Sequence, residues 1–389
     1  MVKNSYQQRV QGIDVLRGLC IIAVVVHHIN LRFRFDKTLV GGGKLFPSAV
    51  LFWSGYYGVR VFFVISGFLI AGWSLKRWGA LNKLSLRQFY AMRFARIIPC
   101  LLAVLLVFST LHLTGAPRFV INRPHQSLPR ALFAALTFHI NWLEAKTGYL
   151  PGGWDPLWSL SVEEVFYIFF PLLCLILRKG WFLVLLLAGF VVVGPVARTL
   201  IQSDPWVDYS YFSCMDGIAL GCLAAMLSVK IKFSVKANRA LLASGAFLLI
   251  FIEVFRHAQA SLGLYKVGLD VTVLQVGTAL LIIALQQRFE KNAPAGHWST
   301  GWLRWFGRNS YEVYLTHMLV VWPMVGIYFR LHQSPNMAAL WFVPITALTG
   351  LLGYVVARFY SEPLNGELRR RLPSASSGVA SGAASCDRF

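Results

Sequence analysis

Arg17 and His28 lie eleven residues apart in the first strongly apolar run, GIDVLRGLCIIAVVVHHIN, and at about 100° per residue they fall on nearly the same face of a helix. Asp14, one turn before Arg17, joins that face. An imidazole has its ordinary pKa near neutrality and can take a proton from an attacking hydroxyl. A guanidinium can grip phosphates or carboxylates. Among Ile, Leu and Val such groups are expensive in hydrocarbon, so they are expected to face a cavity or a partner helix. At about 1.5 Å per residue, His28 stands about 16 Å beyond Arg17, in the middle or outer half of a membrane. From these residues alone two readings of His28 stand, a general base and a packed histidine bonded to a neighbouring helix. His27, rotated by about 100°, is expected to pack against or orient its neighbour.

The elements that must position these groups are transmembrane helices. The 389 residues are 57% hydrophobic and 14% charged, with mean hydropathy +0.59, far more apolar surface than a soluble domain of this size buries. Apolar runs of roughly 17 to 25 residues, the length that crosses a bilayer core, fall near 13–31, 57–74, 98–115, 157–177, 181–200, 211–229, 240–255, 268–287, 309–329 and 338–360. The expectation is an all-α, polytopic transmembrane helical bundle of about ten spanning helices in residues 1–371. The stretch LPRALFAALTFHINWL at 128–143 is short and aromatic, and reads as interfacial or re-entrant.

Placing both termini in the cytoplasm puts most of the 37 lysines and arginines on that side, as the positive-inside rule requires. The loop 201–210, assigned outside, carries Asp204 and Asp208 and no base. The net charge of +21 then reflects topology and attraction to anionic lipid, with no nucleic acid expected. Asp14 and Arg17 at the start of the first run argue against a cleavable signal peptide. The six cysteines lie mostly in apolar spans and form no CxxC pair, so neither a metal site nor a disulfide framework is expected. The polar tail at 372–389 is expected to be disordered and cytoplasmic. No internal repeat or appended soluble domain is visible.

Further residues carry potential chemistry. Asp14 and Arg17 can pair across one turn or face phosphates. The segment Lys76 to Arg96 holds Lys76, Arg77, Lys83, Arg87, Arg93 and Arg96 between apolar residues, and is expected to lie along the membrane as an amphipathic surface. Glu163 and Glu164, two turns into the fourth span, need a partner: they could orient His28, bind an acceptor's hydroxyls, or pair with an arginine of another helix. Tyr311, Tyr314 and His317 recur at three-residue spacing on one broad face, suited to line a channel or to bond between helices. GGGK at 41–44 lacks the spacing of a phosphate loop. The tracts 118–130 and 149–158, with exposed aromatics, suit a sugar acceptor or an interfacial aromatic belt.

Several of these segments together resemble the membrane acyltransferase 3 family, which moves acyl groups, usually acetyl, onto sugar hydroxyls of bacterial surface glycans. GIDVLRGLCIIAVVVHH resembles its first helix, FFVISGFLIAGW at 62–73 its second, RFARIIP at 93–99 the start of its third and WSLSVEEVFYIFFPLL at 158–173 its fourth. FGRNSYEVYLTHMLVV at 306–321 and ARFYSEPL at 357–364 complete the set in order. The resemblance implies a hallmark pair in Arg17 and His28, with His28 as general base. It implies site roles for Asp14, Glu163 and Glu164, and acetyl-CoA as donor held by Arg93, Arg96, Tyr311, Tyr314 and His317, without a metal. A glycan or glycolipid acceptor, membrane lipid as a partner, and the bacterial inner membrane as location follow from it. The chain departs from the family pattern at Met92 beside Arg93, at Val165 after the acid pair, and at Cys214 and Met215 before Asp216. The runner-up reading is a small-solute transporter using the buried charges as a pathway, against which stands the lack of paired inverted halves. A third is a catalytically silent scaffold.

Overall fold

The computed structural model describes residues 10–33, 55–292, 297–331 and 337–371. The phosphate-loop candidate at 41–44 and the polar tail at 372–389 lie outside the described residues. The chain forms helices α1 (Gln11–Phe33), α2 (Gly55–Trp78), α3 (Leu86–Leu113), α4 (Leu128–Leu136), α5 (Ile140–Thr147), α6 (Leu157–Ile176) and α7 (Gly180–Leu200). It continues through α8 (Trp206–Tyr209), α9 (Tyr211–Lys230), α10 (Val235–Val254), α11 (Arg256–Ser261), α12 (Leu269–Asn292) and α13 (Gly301–Arg308). Helices α14 (Ser310–Thr316), α15 (Met318–Arg330), α16 (Ala338–Val356) and α17 (Glu362–Arg370) close it. Among the described residues nine helices are long and apolar enough to cross a membrane, and ten spans result if the bent pair α14–α15 counts as one. This is the expected multi-pass helical bundle.

Small residues let the central helices touch backbone to backbone. At the α1–α13 crossing a Cβ on Gly18 would overlap the Leu303 carbonyl, and one on Gly307 would overlap that of Asp14. Gly67 and Gly221 do the same where α2 crosses α9, against the carbonyls of Ile218 and Val64. Helices α2 and α9 form the centre, whereas α10, only 11% buried, presents apolar residues such as Phe247 and Ile250 outward, as a lipid-facing helix must.

Three local features depart from or refine the expectation. The basic segment 76–96 is not one surface element, because α3 begins at Leu86 and runs through Pro99, carrying Arg87, Arg93 and Arg96 on its first turns. The apolar count misses those turns because it penalises arginines that tertiary partners neutralise. The stretch 128–143 forms parts of two short helices, α4 and α5, neither long enough to cross. The ninth apolar run bends by 49° between α14 and α15. There the His317 Nδ1–H donates to the Tyr314 carbonyl at 2.7 Å, the acceptor that an unbroken helix would offer to the Met318 N–H.

Candidate active site

The polar face of α1 meets the segment 301–317 along its length. Near the start of α1, Asp14 is buried and pairs with Arg308 at 3.5 Å, so its ion pair is with α13, where the sequence leaves open a pair with Arg17 or a role facing phosphates. Arg17 instead donates to Ser310 Oγ at 2.7 Å. Three turns on, the rings of His28 and His317 stand 4.9 Å apart, centroid to centroid.

His28 is oriented from both sides. Its Nδ1 lies 2.8 Å from the Val24 carbonyl, which can only accept, so Nδ1 carries the hydrogen. Its Nε2 faces Asp155 Oδ2 at 3.3 Å. The ring nitrogen not engaged by the backbone is therefore Nε2, and it faces a carboxylate. Asp155 is held in turn by the Tyr209 hydroxyl, which donates to Oδ1 at 3.2 Å, while the Tyr209 ring stacks on Trp158. Burial alone would lift the Asp155 carboxyl, but the His28 contact, the Tyr209 hydroxyl and the nearby Arg32 hold it below the usual carboxylate range. Side chains of His28 and Asp155 are 12% and 24% exposed, open enough for a reactant to touch them. His317 is fully buried, and its Nε2 has no hydrogen-bond partner among the described residues.

Asp155 is the residue that sequence reading missed. It sits in the turn before α6, inside a tract noted only for its aromatic residues, where no helical period marks a carboxylate. Glu163 and Glu164, two turns further along, do not reach His28 in this arrangement. Glu164 accepts from Arg93 at 3.3 Å, and Glu163 neighbours Ser66, Arg93 and Arg17.

Between the two ends runs a line of polar side chains. From His28 and Asp155 it passes to Ser159, whose hydroxyl is 2.6 Å from that of Tyr314. It continues to the Ser66–Tyr167 hydroxyl contact and to Arg93, whose guanidinium lies 3.8 Å over the Tyr167 ring. Beside it Arg96 pairs with buried Glu312 at 3.1 Å and stands 5.2 Å from the Tyr311 ring centre, and Tyr311 donates to the Ile97 carbonyl at 2.8 Å. Arg17, Arg93, Arg96 and Tyr311 thus gather at one end of the line, Tyr314 sits midway, and His317 belongs with His28. Glu312 and Ser310, partners of the two arginines Arg96 and Arg17, were not singled out in the sequence. Asp216 lies apart, in a buried ion pair with Arg198 at 2.8 Å, with Gln275 donating to its other oxygen at 3.0 Å. Arg198 on α7 supplies a positive partner that the sequence around Asp216 lacks. Among the described residues no group of His, Cys, Asp and Glu has metal-binding geometry.

Comparison with known proteins places this arrangement in context. The chain is 26% identical over 336 residues to the peptidoglycan O-acetyltransferase OatA of Listeria monocytogenes, covering 80% of this chain and 49% of the relative. It is 24% identical over 389 residues to the O-acetyltransferase OatA of Staphylococcus aureus, covering 93% of this chain and 58% of the relative. The chain therefore spans about half to three fifths of the length of these curated relatives. No solved structure matches it. The family model described as an acyltransferase domain matches residues 10–358, which take in every residue from Asp14 and Arg17 to His317 just described, and the chain belongs to the acyltransferase 3 family.

Proposed function

We propose that the protein is a membrane O-acyltransferase that moves an acetyl group from acetyl-CoA to a hydroxyl of a cell-surface glycan or glycolipid, with His28 as general base. The observation that carries this reading is the orientation of His28: Nδ1–H committed to the Val24 carbonyl and Nε2 facing Asp155. An acceptor hydroxyl that takes the place of Asp155 Oδ2 at Nε2 gives up its proton there as its oxygen attacks the thioester carbonyl. Asp155 balances the imidazolium, and the same proton leaves with the departing thiol. A transient acyl-enzyme in place of direct transfer uses the same groups.

Arg17, Arg93 and Arg96 are suited to the donor's phosphates. Their setting fits a polyanion: the buried Arg93 Nε lacks a partner among the described residues, and aromatic rings lie against two of the guanidiniums. The carboxylates Glu164 and Glu312 hold those arginines in place, and a phosphate would compete with them for the same donors. The polar line through Ser159 and Tyr314 then marks the route of the pantetheine arm toward His28. Positive charge concentrated on one set of loops favours a cytoplasmic N-terminus in the bacterial inner membrane, with the arginine cluster facing the cytoplasmic donor and His28 set toward the acceptor side. The relatives named O-acetyltransferases support the reaction class, and the Listeria relative's name supports a glycan acceptor.

The test uses membranes expressing the wild type or His28→Ala, supplied with acetyl-CoA carrying carbon-14 in its acetyl group, with label followed into protein, lipid and polysaccharide. Label in a glycan or glycolipid fraction with the wild type alone supports the proposal. Equal labelling by both proteins at equal abundance contradicts the role of His28.

A further inference from the structure

Beside His28 the structure gathers two arginines, Arg32 and Arg118, that form no ion pair among the described residues. Arg32 lies one turn after His28 on α1, about 6 Å further along the axis. Its guanidinium sits 4.1 Å over the Trp322 ring, and that of Arg118 lies 5.1 Å from the same ring. Among the described residues no acid lies within ion-pair distance, 4.0 Å, of either arginine. The near acid, Asp155, has its two oxygens engaged by His28 and Tyr209. Two buried donors here, Arg32 Nε and Trp322 Nε1, have no acceptor among the described residues, and Trp322 is only 9% exposed. Buried donors are rarely left without an acceptor, and each such group calls for an explanation.

The surrounding backbone is built around this pair. Arg118 takes φ of 72°, a left-handed conformation that residues with a Cβ rarely adopt and that persists where the surroundings enforce it. Its carbonyl accepts the Gly153 N–H at 3.0 Å, tying it to the turn that carries Asp155. A Cβ on Gly152 would stand 2.7 Å from Trp322 Cζ2 and 3.0 Å from Arg32 Nη2. One short turn thus packs against both arginine-bearing elements and delivers the carboxylate to His28.

We infer that Arg32 and Arg118, stacked on Trp322, form an oxyanion subsite for the acceptor, so that the hydroxyl acylated at His28 belongs to a glycan carrying a carboxylate or phosphate on the same or the adjoining sugar. The inference rests on the acyl-transfer reading of His28. It adds the chemical class of the acceptor. A guanidinium pair matches the geometry of both carboxylate and phosphate, and the spacing of about one helical turn matches one sugar ring.

The experiment uses the full chain purified into phosphatidylcholine nanodiscs and three acceptors: methyl glucoside, methyl glucuronoside and glucose 6-phosphate. Two readouts are taken, acetyl transfer from acetyl-CoA and thermal stabilisation by each sugar in the absence of donor. The expected result is a kcat/KM at least tenfold higher for an anionic sugar than for methyl glucoside, through KM. The ratio should collapse toward one in Arg32→Gln and Arg118→Gln, and recover in part in Arg32→Lys. The carboxylate and phosphate arms identify which oxyanion is preferred. Transfer by the wild type with no preference for either anion overturns the inference while leaving the acyltransferase reading intact, and it does so even if the variants fail to fold. Stabilisation by an anionic sugar, abolished in both variants, without transfer to any acceptor would retain the subsite and contradict the reaction. Stabilisation by phosphatidylglycerol in the nanodisc, with no preference among sugars, would assign the pair to lipid and overturn the inference.

Discussion

Asp155 Oδ2 lies 3.3 Å from His28 Nε2, although the two residues are 127 positions apart in the chain. The carboxylate arrives from the turn before α6 and meets the ring nitrogen that the Val24 carbonyl does not engage. Asp155→Asn keeps the shape and removes the charge that balances the imidazolium. The expected outcome is a fall in kcat of about 10²- to 10⁴-fold with little change in acceptor KM, read in the acetyl-transfer assay at equal membrane abundance. Activity within threefold of the wild type would remove Asp155 from the site.

Glu312 is 1% exposed and its ion-pair partner is Arg96. Arg96→Ala leaves a carboxylate buried without its cation, which costs about 3 kcal/mol or more. Thermal denaturation in detergent should show a clear drop in Tm for Arg96→Ala, and Glu312→Gln added to it should restore part of the loss. An unchanged Tm in the single variant would mean that the buried pair does not hold α3 to α14.

At the α1–α13 crossing Gly18 and Gly307 leave no room for a Cβ. Gly18→Ala and Gly307→Ala each push a methyl into a backbone carbonyl, so a destabilisation of about 1–3 kcal/mol is expected. Because the crossing runs from Asp14 to Gly18 on α1, the stretch that carries Arg17, the same variants should raise the KM for acetyl-CoA more than that for the acceptor. Initial-rate measurements with each substrate varied in turn would show it, and equal effects on the two KM values would count against the placing of the donor.

Glu144 on α5 is fully buried, with one oxygen accepting the Leu150 N–H at 3.0 Å and the other without a partner among the described residues. Burial, with Asp155 nearby, pushes its carboxyl well above the usual range. The folded state therefore keeps a proton that the unfolded chain releases above about pH 4.3, and stability falls as pH rises through that window. Glu144→Gln should flatten this decline, seen as a smaller drop in Tm between pH 5 and pH 8 than in the wild type. Asp155 has the opposite sign: its depressed carboxyl contributes stability above about pH 3.9 that is lost on acidification through its lower folded value. A steeper alkaline decline in Glu144→Gln would refute the buried, protonated state.

What the sequence revealed and what it hid have physical causes. Apolar run length dictates crossings, so the bundle and the polar stripe of α1 were legible, and Arg17 and His28 do face one set of neighbours. The partners were not. Asp155 lies in a turn without periodicity, and the pairing of Arg93 with Glu164 and of Arg96 with Glu312 joins helices through contacts 71 and 216 residues apart. Charge along the chain suggested that these arginines lay on the membrane surface, whereas their carboxylates draw them into the first turns of α3. The bend at His317 depends on a side chain taking a backbone carbonyl, which hydropathy does not register.

The central claim is that His28 takes the acceptor's proton during transfer from a donor bound at the opposite end of the polar line. Its most direct measurement places purified protein in liposomes of defined orientation, with labelled acetyl-CoA on the side of the α1 start and a glycan acceptor on the other. The account predicts labelled acceptor across the membrane with the wild type and none above background with His28→Ala, the two proteins being equally abundant and equally stable. Transfer by His28→Ala at the wild-type rate would contradict it.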